Sequence, residues 1–170
     1  DSYVPAIRLA GGRAVPVALN TPDYSVPWDK VRAAITPRTR LLMLNSPHNP
    51  SGAVFSAADL DALEATVRDT NVLIVSDEVY EHIVFDGAAH QSVSRRPALA
   101  ERSFVISSFG KTFHATGWKV GYCAAPAPLS AEFRKVHQFN VFTVNTPMQV
   151  GLATYMPVSY THLTLPTILL

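Results

Sequence analysis

Four short apolar runs recur along the chain, each followed by a polar cluster. Leu41-Leu42-Met43-Leu44, Val72-Leu73-Ile74-Val75 and Phe104-Val105-Ile106 are continuous, the pattern of strands buried on both faces. Val120 to Ala124 is a fourth strand of smaller residues, stopped by Pro126 and Pro128. Arg13 to Leu19 is a further strand-like stretch, rich in valine. Between the runs the spacing becomes helical. Val31, Ala34 and Ile35 mark a helix over 28–35 that Pro37 closes, and Leu60, Leu63 and Val67 mark another. Ser56, three residues before Asp59, predicts the N-cap of that second helix, which should end near Asp69. Leu129 to Phe142 and Pro147 to Met156 read as two more helices, the latter with proline at its first position. Strands alternating with helices predict an α/β protein with a mainly parallel sheet flanked by helices.

Composition narrows the partners. The chain has 170 residues, of which 48% are apolar and only 16% charged, against roughly 25% charged in ordinary domains. A net charge of +1 disfavours nucleic acid, whose phosphates call for a basic excess. No apolar run approaches the ~18 residues of a membrane span, so no membrane partner is expected. Cys123 stands alone, and no Cys/His cluster has zinc spacing, so neither a disulfide nor a metal is expected. The start, Asp1-Ser2-Tyr3-Val4-Pro5, shows no signal peptide, and a cytoplasmic location is expected. Residues 157–170, PVSYTHLTLPTILL, carry no Lys, Arg, Asp or Glu and continue no pattern. They read as a non-native, adapter-like tail, which leaves residues 1–156 as the domain segment.

The polar clusters carry the chemistry. They are Asn45 to Gly52, Asp77 to His82 and Ser107 to Lys119. In an open α/β sheet, ligands bind beyond the carboxyl ends of the strands, so three such clusters should converge on one crevice. Lys111, between Phe109 and Phe113, should be partly desolvated, which lowers an amine's pKa and makes it a nucleophile or Schiff-base former. Ser107, Ser108 and Gly110 offer hydroxyls and close backbone N–H groups to an anion, and Lys119 adds a cation. Asp77, at the end of a buried strand, needs a cationic partner such as a protonated ring nitrogen. Tyr80 could hydrogen-bond a phenolic oxygen. Asn49, held before Pro50, could present a fixed amide.

In order, NSPHNPSG, SDEVY and SSFGKTFHATGWKVGY resemble the large domain of the fold-type-I, class I/II aminotransferases, which use pyridoxal 5′-phosphate. The resemblance spans residues 1 to 156 and looks strongest toward the methionine aminotransferase and kynurenine/glutamine transaminase branch. It implies an aspartate aminotransferase-like large domain, incomplete here. It also implies that Lys111 holds the cofactor as a Schiff base and moves the proton between the substrate α-carbon and the cofactor. Asp77 would keep the pyridine nitrogen protonated, so that the ring acts as an electron sink. Tyr80 and Asn49 would hydrogen-bond the ring's 3′-oxygen, and Ser108 and Lys119 would bind the phosphate. Arginine is usual at the Lys119 position in the wider family. Lysine matches the kynurenine/glutamine branch and replaces a bidentate clamp by a point charge.

The implied reaction exchanges amino and oxo groups between an amino acid (methionine, aromatic, glutamine or kynurenine type) and a 2-oxo acid. A carbon–sulfur β-lyase is the alternative, because it shares the lysine, aspartate and tyrosine. Ser108-Phe109-Gly110-Lys111 also fits the Ser-x-x-Lys motif of acyl-transfer enzymes, but the accompanying S-D-N and K-T-G are absent. Glu78, Glu81 and His82 as helical metal ligands lack a second Glu/His pair. His48, His82, His114 and His137 read as loop or surface groups, Trp118 as packed beside the site, and Cys123 as a small buried strand residue. The family completes its sites across a homodimer and with flanking segments. The 170-residue piece alone is therefore expected to be inactive, and its low charge suits surfaces that are covered.

Overall fold

The computed structural model describes residues 2–156; residues 157–170, expected above to be a non-native tail, lie outside the described residues. The chain begins with α1 (Tyr3–Leu9), and α2 (Trp28–Ala34) precedes β1 (Leu41–Asn45). Next come α3 (Ala57–Val67), β2 (Leu73–Asp77), α4 (Pro97–Ala100) and β3 (Ser103–Ser108). Then follow α5 (Phe109–Thr112), β4 (Gly121–Ala124), α6 (Ala127–Asn140) and α7 (Thr146–Tyr155). The sheet order is β1-β2-β3-β4. β1 pairs parallel with β2 and β2 with β3, so all three strands end on the same edge.

β4 runs antiparallel to β3, with Ser107 opposite Tyr122 and Ser108 opposite Gly121. Its connection back from β3 is the short α5 and a 3-10 turn at Thr116–Trp118, folded back so that the Phe109 N–H donates to the Val120 carbonyl at 3.2 Å. The backbones approach closely there. A Cβ on Gly121 would stand 2.6 Å from the Ser107 carbonyl oxygen.

Ser56 caps α3 as its position predicts. Its hydroxyl accepts from the Asp59 N–H, while Asp59 Oδ2 takes the Ser56 N–H at 2.8 Å, a reciprocal box that satisfies two helix-end donors. The other end of α3 comes at Val67 rather than near Asp69. There the Arg102 guanidinium donates to the carbonyls of Val67 (2.8 Å) and Thr70 (3.0 Å), groups the helix leaves unpaired.

Leu60, Leu63 and Val67 form the buried stripe of α3 and pack with Ile74 of β2, Val93 and Leu99 of α4. Leu42, Leu44 and Val105 close this core from the sheet. Each fully buried leucine or isoleucine here contributes about 1.5–3 kcal/mol. The opposite face is only half-covered among the described residues. Burial along β2 alternates, and β1 has no fully buried residue. The expectation of strands buried on both faces therefore fails for β1, β2 and β3, where Ile106 is 38% exposed. β1 has one strand neighbour, and Leu41 remains 47% exposed. Phe104 meets Phe133 of α6 on this second face, with ring centroids 6.2 Å apart.

Arg13 to Leu19 is not a strand. It faces β1 across a cleft of about 1070 Å³ lined by Val15, Val17, Leu42 and Leu44. Pro16 lacks the N–H that a ladder needs, which works against pairing. Cys123 lies on β4 but is half-buried, and burial pushes its thiol pKa up.

Candidate active site

Parallel pairing brings the ends of β1, β2 and β3 together, and with them the three polar clusters. Asn45 and Asp77, the last residues of β1 and β2, are register partners. The Asn45 side chain joins two clusters. Its Nδ2 donates to the Asp77 carbonyl at 3.0 Å, and its Oδ1 accepts the Asn49 N–H at 2.9 Å. The loop behind Asn49 is closed by hydrogen bonds from His48 N–H to Ala53 O (2.8 Å) and from Gly52 N–H to His48 O (2.7 Å). Gly52 sits at φ 75°, a left-handed conformation that side-chain-bearing residues rarely adopt. His48 is a loop hydrogen-bonding group, as expected, 2.7 Å from Ser51 Oγ.

So held, Asn49 Nδ2 donates to Tyr80 Oη at 3.3 Å. Lys111 Nζ lies over the Tyr80 ring, 5.6 Å from its centroid, so the third cluster meets the first two at Tyr80. Among the described residues Lys111 has no carboxylate within ion-pair distance. The expectation that phenylalanines enclose it is wrong, and Lys111 is exposed. Phe109 and Phe113 stand four residues apart on one face of α5, stacked at 6.0 Å and extended by Tyr122 and Tyr155. Lys111, two residues from each, is turned to the other side.

The Asp77 carboxylate accepts the Val79 N–H on Oδ1 at 3.3 Å and the Tyr3 hydroxyl on Oδ2. Tyr3 was not legible as a site residue; it lies 74 residues before its partner. Burial, then the hydrogen bond to Asp77 and its negative charge, push the Tyr3 phenol pKa well above its ordinary value.

Ser108 caps α5, its hydroxyl accepting the Gly110 N–H at 3.1 Å. Gly110 is buried against the next turn, where an added Cβ would stand 2.8 Å from Thr116 Cα. Lys119 adopts φ 55° at the corner before β4, next to Val120, whose carbonyl accepts the Phe109 N–H at 3.2 Å. The corner is thereby tied to the Ser108–Lys111 segment. No ion-pair partner of Lys119 is found among the described residues. Trp118 is 57% exposed rather than packed beside the site, on a 3-10 turn with no buried residue.

Two carboxylates act as anchors. Glu81 accepts from Ser107 Oγ at 2.5 Å and from Tyr122 Oη at 2.8 Å, clamping the β3–β4 pair to the turn that bears Tyr80. Glu78 is 1% exposed and takes Ser76 Oγ, the Val93 N–H and His90 Nε2. Burial works against its ionisation, yet hydrogen bonds from His90, Ser92, Ser76 and the Val93 N–H outweigh that and hold the carboxyl below the usual range. His90, which nothing in the sequence marks, is thus structural. Among the described residues no group of His, Cys, Asp or Glu could hold a metal ion.

The donor set fits pyridoxal phosphate. It offers an amine without a carboxylate partner, a strand-end carboxylate, an amide–phenol pair, and a hydroxyl at a helix start with a second ammonium nearby in the chain.

The family described as aminotransferase class I and II matches residues 1–157. The chain is 52% identical over 162 residues to the methionine aminotransferase of Escherichia coli K12, covering 95% of this chain and 42% of that protein. Kynurenine–oxoglutarate transaminase 1 of Mus musculus is 38% identical over 164 residues, with 90% of this chain and 39% of the relative covered. The solved structure of YbdL from Escherichia coli, described with a methionine aminotransferase function, superposes with a TM-score of 0.92 at 51% identity. That match covers 96% of this chain and 43% of the solved one. The chain thus spans about two-fifths of the length of the relatives it matches. With the family's motifs in order and its fold reproduced, the chain belongs to the class I and II aminotransferases.

Proposed function

We propose that the protein of which these residues form part transfers an amino group from an amino acid to a 2-oxo acid. One observation carries this reading: Asn49 and Lys111, from separate strand ends, meet at Tyr80, while Asp77 ends the neighbouring strand beside Asn45, whose side chain holds Asn49. Similarity to a methionine aminotransferase and a kynurenine transaminase supports methionine, aromatic, glutamine or kynurenine-type donors. When bound, pyridoxal phosphate supplies an aldehyde that condenses with the amino group and a ring that accepts electrons from the α-carbon.

The chain's own residues do the rest. Lys111 Nζ holds the cofactor and then carries the proton to and from the substrate α-carbon. Asp77 offers its negative charge to the ring nitrogen and favours the protonated form. Tyr80 Oη, hydrogen-bonded by Asn49, would hold the ring's phenolic oxygen, and Asn45 keeps Asn49 in place. Ser108 Oγ and Lys119 Nζ take the phosphate, the lysine as a point charge.

The domain segment we assign is 1–156, the central part of the cofactor-binding large domain. The working protein is a homodimer in the cytoplasm, without nucleic acid or membrane as partner. Phe139 at 87% exposed, Phe142 at 82% and Val136 at 68% support a covered surface on and just after α6. No helix among the described residues is long and apolar enough to cross a membrane.

The test uses the protein completed to its relatives' length. It should show the cofactor's absorption band and transaminate methionine with a 2-oxo acid; Lys111→Ala should lose both. Retention of both by the variant would remove Lys111 from its role. Release of thiol and pyruvate without transamination would establish the β-lyase instead. The 170-residue piece alone should be inactive, and steady turnover by it would refute that expectation.

A further inference from the structure

α1 is held in an unusual way. Its seven residues include none that is buried, and no side chain caps it. Tyr3, Val4 and Ile7 are half-buried along the apolar cleft. Its one side-chain hydrogen bond across the fold runs from the Tyr3 hydroxyl to Asp77 Oδ2. Of all the polar groups near the strand ends, the phenol reaches the carboxylate that faces the ring nitrogen in the proposed function.

We propose that Tyr3 is a positioning residue for the amino-transfer reaction, acting through Asp77. A carboxylate has about four acceptor sites. The Val79 N–H takes one on Oδ1 and Tyr3 takes one on Oδ2, which fixes the rotation of the group and leaves the remaining sites for a ligand. So oriented, Asp77 would present its free acceptor sites to the ring nitrogen in one fixed direction. The titratable groups facing the Tyr3 hydroxyl are Asp77 and Tyr80, with Lys111 over the Tyr80 ring. The phenol is thus held neutral, as a donor, between two acidic groups.

This inference rests on the proposed cofactor role of Asp77, so the experiment separates the two. In the cofactor-loaded, full-length protein, Tyr3→Phe removes one oxygen and keeps the ring. The cofactor's absorption band should persist, and its pH midpoint should move from the wild-type value. Cofactor dissociation should become about tenfold tighter in wild type than in the variant, the size of one charge-assisted hydrogen bond. In an Asp77→Asn background the further change Tyr3→Phe should move neither quantity, because the charge it acts through is gone. A Tyr3→Phe protein with the wild-type midpoint and wild-type retention would overturn the proposal while leaving the cofactor site standing. Equal shifts in both backgrounds would overturn it too, since Tyr3 would then serve only the fold. If the band itself is absent from wild type, the cofactor role fails and the proposal falls with it. The cofactor-free protein supplies a separate check. One tyrosine that resists ionisation in alkali should vanish in Tyr3→Phe, and should titrate earlier in Asp77→Asn.

Discussion

Replacing Glu78 by alanine removes a carboxylate that is 1% exposed and leaves three donors facing a void. Ser76 Oγ (2.8 Å) and the Val93 N–H (3.1 Å) lose Oε1, and His90 Nε2 (2.8 Å) loses Oε2. His90 is already short of a partner at Nδ1. Truncating one member of such a buried pair costs about 3–5 kcal/mol, a large part of the 5–15 kcal/mol that holds a typical protein folded. Glu78→Gln keeps the oxygen that serves Ser76 and Val93, and places an amide NH₂ against His90, which then must accept. Its cost should be nearer 1–3 kcal/mol.

The sign with pH follows from the depressed carboxyl pKa. A group whose folded pKa lies below its unfolded value contributes stability above the unfolded value. That contribution disappears as pH falls through the folded one. The gap between wild type and Glu78→Gln should therefore be full at neutral pH and close in acid, below the ordinary glutamate range. Urea unfolding of the full-length protein, followed by fluorescence at several pH values, measures it. An alanine variant within about 0.5 kcal/mol of wild type at pH 7, the scatter of ordinary surface substitutions, would refute the assignment of Glu78 as the anchor of the 78–93 segment.

Two further outcomes are expected. Gly110→Ala sets a Cβ 2.8 Å from Thr116 Cα, which is backbone and cannot swing aside. The turn joining Ser108 to Lys119 should widen, and phosphate-dependent cofactor retention should fall several-fold with little change in unfolding midpoint. Glu81→Gln removes the charge that, after burial, helps raise the Tyr122 phenol pKa, so that tyrosine should ionise at lower pH in an absorbance titration. An unmoved titration would show that burial alone sets it.

Much of this site was legible because it is built from contiguous segments. NSPHNPSG, SDEVY and SSFGKTF each follow an apolar run, and a strand's carboxyl end is where a parallel sheet gathers its loops. What escaped was reciprocal burial. Flanking phenylalanines suggested a desolvated lysine, but helical geometry in α5 turns Phe109 and Phe113 together toward Tyr122 and Tyr155 and leaves Lys111 outside. The continuous apolar runs implied two covered faces. Among the described residues one face packs α3 and α4, while the other meets α6 mainly through Phe133, so part of it stays open. The low charge content agrees with that open face, and with the exposed apolar residues of α6.

The sequence by itself determined the local events. These are the Ser56 cap, the positions of the four sheet strands, the helical stripe of Leu60, Leu63 and Val67, and which residue types stand at the strand ends. Such features depend on neighbours within about one helical turn or one strand, which periodicity and capping rules read directly. Only the tertiary structure decided that β4 reverses, that Asn45 bridges two clusters, that Glu78 is taken by His90 and that Tyr3 reaches Asp77. Each depends on a partner brought near by the packing of the whole sheet. A hydrogen bond across 74 residues leaves no trace in the spacing of either end.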